Sequence, residues 1–191
     1  ERHGAGTFYY TNGDRYEGKW SNDTQNGKGT YYFQNGERYE GDYAEGERTG
    51  EGMYVYPNGD KYKGEFKSGW QDGYGVFTWA NGAVYEGQWS KNQRSGKGKY
   101  LWGNGDEYEG EWKNNMAEGE GVLRMKDGSV YTGSFSHGKE NGKGTIVNKD
   151  GVRFEGFFKQ GKKDGPFVET DASGKVIRQG TFRFGRMLDT K

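Results

Sequence analysis

The stretch Tyr108-Glu109-Gly110-Glu111-Trp112 decides the fold because it recurs. Variants stand at 16–20 (YEGKW), 39–43 (YEGDY), 62–66 (YKGEF), 85–89 (YEGQW), 131–135 (YTGSF) and 154–158 (FEGFF). Their glycines, at 18, 41, 64, 87, 110, 133 and 156, form a comb with a spacing of 23. A second comb has the same period: Asn-Gly at 12–13, 35–36, 58–59, 81–82 and 104–105, then Asp-Gly at 127–128 and 150–151 and Ser-Gly at 173–174. A third is a Gly-x-Gly pair at 4/6, 27/29, 50/52, 73/75, 96/98, 119/121 and 142/144, degraded in its eighth copy to Gly165-Pro166-Phe167. Three combs in register mean a repeat architecture rather than one compact core.

Composition agrees. Of 191 residues 37 are Gly, aromatics make up 17% and all hydrophobics only 29%, so an aliphatic core is not available. Low hydrophobicity also marks disorder, but disordered chains are poor in aromatics. With 15 Tyr, 11 Phe, 6 Trp and 2 Pro, the chain reads as short strands and tight turns. Without Cys there is no disulfide, thiol nucleophile or thiolate site. No apolar run approaches the roughly 20 residues of a spanning helix. Residue 1 falls inside a repeat, so the chain is expected to be part of a longer protein.

The Asn-Gly pairs sit between apolar-containing runs, the strongest short-range hairpin signal. Side-chain parity chooses the turn. A two-residue Asn12-Gly13 turn puts Phe8 and Tyr10 on the face opposite Tyr16 and Trp20. A three-residue loop with a left-handed glycine pairs Tyr10 with Asp14, Phe8 with Tyr16 and Gly6 with Gly18, and every large ring then shares one face. Pro57, in Tyr56-Pro57-Asn58-Gly59, fits the type I turn that begins such a loop. Four ring columns follow. The first is Phe8, Tyr31, Tyr54, Phe77, Tyr100, Leu123, Ile146; the second Tyr10, Phe33, Tyr56, Trp79, Trp102, Met125, Asn148. The third runs from Tyr16 through Phe154, and the fourth is Trp20, Tyr43, Phe66, Trp89, Trp112, Phe135, Phe158. Glu17, Glu40, Glu86 and Glu109 fall on the other face. Polar stretches such as 21–26 are expected to be loops between hairpins. The glycines of Gly27-Lys28-Gly29 are expected there for positive φ or close chain approach. The expected fold is all-β: an elongated, twisted single-sheet solenoid of stacked antiparallel β-hairpins with a 23-residue repeat.

The pattern resembles the MORN repeat family (membrane occupation and recognition nexus), whose unit reads much like YEGxWxxGxxxGxGxxxxxNGxx. The resemblance covers the whole chain as one array: a partial unit at 1–15, full units starting at 16, 39, 62, 85, 108, 131 and 154, and a degraded terminal unit at about 177–191. It implies a binding or spacing module of the kind found in MORN-only cytoskeletal scaffolds of protists, with membrane binding as the alternative in the family's name.

Enzymatic chemistry is not expected. Gly27-Lys28-Gly29-Thr30 and Gly142-Lys143-Gly144-Thr145 lack phosphate-loop spacing and a following helix. His3 and His137 lie almost six repeats apart, so no metal site is expected, and no cofactor. Two non-enzymatic classes remain. One is a structural scaffold whose aromatic trough (Tyr16, Trp20, Tyr39, Tyr43, Tyr62, Phe66, Trp79, Tyr85, Trp89, Trp102, Tyr108, Trp112) either binds protein partners or only packs on itself. The terminal repeats are apolar, and Phe157, Phe158, Phe167, Phe182, Phe184 and Met187 are the candidate homodimer interface. The other class is a phosphoinositide- or membrane-binding module using Lys159, Lys162, Lys163, Arg178, Arg183 and Arg186. Residues 1–130 carry net −5 (16 basic, 21 acidic) and 131–191 net +5 (12 basic, 7 acidic), so a nucleic-acid face is not expected. A regulatory segment of a larger protein is a third possibility. The expected location is cytoplasmic, at the cytoskeleton or the membrane periphery.

Overall fold

The computed structural model describes residues 1–188. It is all-β, with antiparallel hairpins recurring every 23 residues and no helix among the described residues. The chain divides into two units, Glu1–Arg94 and the part from Ser95 onward. The first holds β1 (Gly4–Tyr9), β2 (Arg15–Ser21), β3 (Thr24–Tyr32), β4 (Arg38–Ala44), β5 (Glu47–Val55), β6 (Lys61–Lys67), β7 (Trp70–Thr78) and β8 (Val84–Ser90). Each pairs antiparallel with the next. The second unit holds most of β9 (Gln93–Leu101), then β10 (Glu107–Lys113), β11 (Met116–Arg124), β12 (Val130–Ser136), β13 (Lys139–Val147), β14 (Arg153–Lys159), β15 (Lys162–Thr170), β16 (Val176–Arg183) and β17 (Arg186–Met187), paired in the same consecutive way.

The Asn-Gly turns are the bulged loops that parity required. Tyr10 N–H bonds to Asp14 O at 2.9 Å, Gly13 N–H bonds back to Tyr10 O at 3.1 Å, and Gly13 sits at φ 93°. Phe8 faces Tyr16 and Gly6 faces Gly18. At Pro57 the same two bonds recur, Tyr56 N–H to Asp60 O and Gly59 N–H to Tyr56 O.

The other turns differ from expectation. Residues 21–26 are not a loop: Ser21 pairs directly with Thr24, leaving Asn22-Asp23 as a two-residue turn with φ 48° and 64°. Both central residues are left-handed, the turn type whose twist matches paired strands. Glu45-Gly46, Ser68-Gly69, Lys91-Asn92, Asn114-Asn115, His137-Gly138, Gln160-Gly161 and Phe184-Gly185 repeat it. Without a Gly in every copy the sequence signal was weak, because Asn and Asp also tolerate this conformation. Residues 24–26 therefore belong to β3, and a bulge between Gly18 and Trp20 absorbs the extra length of that strand.

Neighbouring turns are tied by backbone bonds. Gly46 N–H donates to Gln25 O, Gly69 N–H to Arg48 O, and Asn92 N–H to Gln71 O, each at 2.9 Å. On the polar face, charges pair with one another, as in Lys28–Asp42 at 2.8 Å and Arg15–Glu17 at 3.3 Å.

Candidate partner-binding surface

The ring-bearing face divides into two strips. The inner strip is built from positions one and five of the opening motif. Tyr16, Tyr39, Tyr62, Tyr85 and Tyr131 are 0% exposed and Tyr108 is 1%. Each hydroxyl donates to the carbonyl three residues on: Tyr16 to Lys19, Tyr39 to Asp42, Tyr62 to Glu65, Tyr85 to Gln88, Tyr108 to Glu111 and Tyr131 to Ser134, at 2.9–3.1 Å. The ring reaches that carbonyl by lying flat on the motif glycine and its cross-strand partner. A Cβ added at Gly52 would come within 2.5 Å of the Tyr39 ring, and one at Gly41 within 2.7 Å of Gly52 Cα. Only bare backbone accommodates this approach. The motif glycines and the second glycine of each Gly-x-Gly pair therefore exist for packing, and Gly27 (φ 93°) for its backbone angle.

Position five supplies the edges. Tyr39 meets Tyr43 at 5.3 Å and 90° and Phe66 of the next repeat at 4.9 Å and 80°; Tyr62 meets Phe66 at 5.2 Å and Trp89 at 5.3 Å. T-shaped contacts of this kind suit the quadrupoles of the rings. Trp89 Nε1 donates to Gly75 O and Trp112 Nε1 to Gly98 O. Burial pushes the Tyr16 hydroxyl up to about 12, and moves those of Tyr39, Tyr62, Tyr85, Tyr108 and Tyr131 upward as well.

The outer strip lies toward the bulged turns. In the first unit Tyr10, Tyr31, Phe33, Tyr54, Tyr56, Phe77 and Trp79 form a ladder with centroids 4.4–5.9 Å apart and ring planes tilted by 35–48°. Tyr54 is 9% exposed; the others are half-buried. Its rim is acidic. Asp14 accepts from the Tyr31 hydroxyl and from Gln34 N–H, both at 2.8 Å, and Glu37 accepts from the Tyr54 hydroxyl. The Gln34 N–H, then the Tyr31 hydroxyl, hold the Asp14 carboxyl below the ordinary carboxylate range. In the second unit Tyr100 and Trp102 (38% exposed) continue the columns, which then become aliphatic and polar at Leu123, Met125, Ile146 and Asn148.

Behind the ladder a further column borders the rings: Arg2, Gln25, Arg48, Gln71 and Arg94. Sequence reading left it unremarked, although its 23-residue spacing was visible. The Arg48 guanidinium lies 5.3–5.8 Å from the centres of Tyr54, Tyr39 and Phe66 and donates to Gly69 O at 2.9 Å.

Ten of the twelve trough residues (Tyr16, Trp20, Tyr39, Tyr43, Tyr62, Phe66, Tyr85, Trp89, Tyr108 and Trp112) belong to the inner strip and are closed to a partner. Trp79 and Trp102 alone stand on the outer one. Of the candidate dimer residues, Phe158 and Phe167 are buried inside their own chain and offer nothing to a second copy. Phe167 replaces the missing second glycine and stacks on Phe154 at 5.3 Å and 19°. Phe157, Phe184 and Met187 are exposed and Phe182 is half-buried. Of the candidate lipid contacts, Lys163 lies 3.8 Å from the centre of Phe154, and Arg178 pairs with Glu169 at 2.6 Å, so both are engaged within the chain. Lys159, Lys162, Arg183 and Arg186 are exposed. Among the described residues no group of three or more His, Cys, Asp or Glu is placed to hold a metal ion.

Hairpins repeated at fixed period, each burying its rings against the next, define a β-hairpin repeat protein. The chain belongs to the MORN-repeat family: the family model described as MORN repeat matches residues 1–15, 16–38, 39–61, 62–84, 85–107, 108–130, 131–153 and 154–176. No curated protein matches it. Among solved structures, the SAS-4 (dCPAP) TCP domain of Drosophila melanogaster, in complex with a proline-rich motif of Ana2 (dSTIL), is similar. Its TM-score is 0.54 at 14% identity, over 82% of this chain and 85% of that one. The TCP10c domain of Drosophila melanogaster Sas-4 scores 0.47 at 12% identity, over 78% and 90%. The TCP10 domain of Danio rerio CPAP scores 0.32 at 17%, over 92% and 99%. At 14% identity the first of these likenesses concerns the fold.

Proposed function

We propose that this chain is a non-enzymatic structural scaffold whose outer aromatic ladder docks an extended, proline-containing segment of another protein, in a cytoskeletal setting. The carrying observation is the division of the aromatic face. The inner strip is sealed, whereas Tyr10, Phe33, Tyr56, Phe77 and Trp79 are only half-buried along a ladder linked through Tyr31 and Tyr54. Aromatic-lined surfaces suit the preformed polyproline helix, whose pyrrolidine rings sit between tilted aromatics. The similar SAS-4 domain, bound to a proline-rich motif, supports the reading. Titration with a synthetic proline-rich peptide, followed by amide and indole NMR signals, tests it. Shifts concentrated along the ladder are expected, and Phe33→Ser removes them. No shift at millimolar peptide overturns the reading.

A second reading, homodimerisation through the terminal repeats, is favoured by one observation. Phe184 is 59% exposed at φ 47° in a turn where earlier copies carry polar residues. A bulky residue in the left-handed region is strained, and an exposed ring there gains most from a covering partner. Light scattering tests it: truncation before Phe154 should give a monomer. Lipid binding through Lys159, Lys162, Arg183 and Arg186 is the alternative for the same end, tested by salt-sensitive sedimentation with phosphoinositide vesicles.

A further inference from the structure

Arg2 and Arg48 occupy equivalent places two repeats apart, and only one of them has a counter-ion. Each backbone carbonyl accepts from the turn residue 21 positions later: Asp23 N–H to Arg2 O, Gly69 N–H to Arg48 O. Each guanidinium lies against rings, Arg2 at 4.2 Å from Phe8 and from Trp20, Arg48 against Tyr54 and Phe66. At Arg2 the turn supplies a carboxylate: Asp23 Oδ1 lies 3.2 Å from Arg2 Nε and also accepts from Arg2 N–H. At Arg48 the turn residue is Gly69, which offers only its carbonyl. Arg48 makes no ion pair among the described residues, although it is partly buried beside Tyr54 of the ladder. A half-buried guanidinium with one donor on a carbonyl and no counter-ion has N–H donors to offer a bidentate carboxylate.

We infer that Arg48 is the anchor for a carboxylate side chain of the segment that docks on the ladder, in the place Asp23 fills at Arg2. The inference rests on the docking reading above and adds the partner's chemistry: an extended segment with Asp or Glu among its proline and apolar residues.

Selection of short peptides from a displayed random library on the immobilised chain tests it. Peptides selected by the wild-type chain should be enriched in Asp or Glu at one position. A selected peptide and its Glu→Gln twin should differ about tenfold in Kd, as a charge-assisted pair implies. Two variants should abolish that difference. Arg48→Gln places there the residue that stands at 25 and 71, so the fold tolerates it. Gly69→Asp supplies the carboxylate from within, at a φ of 81° that Asp23 accepts at 64° in its own turn. Selected peptides without acidic enrichment, or a twin difference that survives both variants, overturn the inference while docking stands. Failure of the wild-type chain to select any peptide above background overturns docking and the inference together.

Discussion

The inner and outer strips of the aromatic face are built from the same residue types on alternating strands of one face, yet only one of them is closed. Rings of the inner strip lie over paired glycines, sink to the backbone and are covered edge-on by the next repeat. Rings of the outer strip lean on one another at tilts of 35–48° and, Tyr54 excepted, stay half-buried. What an aromatic ring does here is set by what lies beneath it, not by its own identity.

The largest effect that separates the strips is expected from Tyr62→Ala, which empties a fully buried site and should cost about 3–5 kcal/mol in urea denaturation. An effect under about 1 kcal/mol would put Tyr62 in the outer class. Gly52→Ala attacks the floor instead of the ring; displacing the Tyr39 ring should cost about 1–3 kcal/mol. Alkaline pH acts on all the column tyrosines together. Their raised hydroxyls mean that the folded state holds these protons more tightly than the unfolded chain, whose tyrosines ionise near about 10. The stability they contribute is complete below that pH and is lost as pH rises through it toward the folded values. Denaturation midpoints should therefore fall between about pH 10 and about pH 12, with the tyrosinate absorbance of the column residues rising only as the chain unfolds. Tyr62→Phe keeps the ring and removes the bond to Glu65 O, for about 1 kcal/mol. The smallest change in stability, about 1 kcal/mol or less, is expected from Phe33→Ser on the outer strip, where peptide binding is lost instead. A large loss of stability there would erase the distinction.

Much of this was legible before any coordinates. Parity around Asn12-Gly13 required a bulged loop, and the register Phe8–Tyr16 and Gly6–Gly18 follows from it. The turns at 22–23, 45–46 and their equivalents were not legible, because Asn, Glu, Ser, Lys and His all occupy left-handed positions there without a uniform glycine signal. Whether the trough binds a partner or only packs on itself stayed open in the sequence, since exposure depends on how deep a ring sits, and depth depends on the glycine of the motif and its cross-strand partner. One signal was present: the third column is Tyr six times in seven, whereas the second drifts from Tyr and Phe to Met and Asn. A hydroxyl bonded to a fixed carbonyl demands one residue; an open surface does not.

The sequence by itself determined the period, the strand pairing and the face on which the rings of the four columns lie, because these follow from spacing and from two-residue alternation along a strand; Tyr9, Tyr32 and Tyr74 fall on the opposite, polar face, against the expectation that every large ring shares one face. Only the tertiary structure decided which rings are closed, and that Arg48, unlike Arg2, has no carboxylate from its turn. Those depend on contacts between residues about twenty positions apart, where a single change from Asp23 to Gly69 alters the chemistry while leaving the backbone the same.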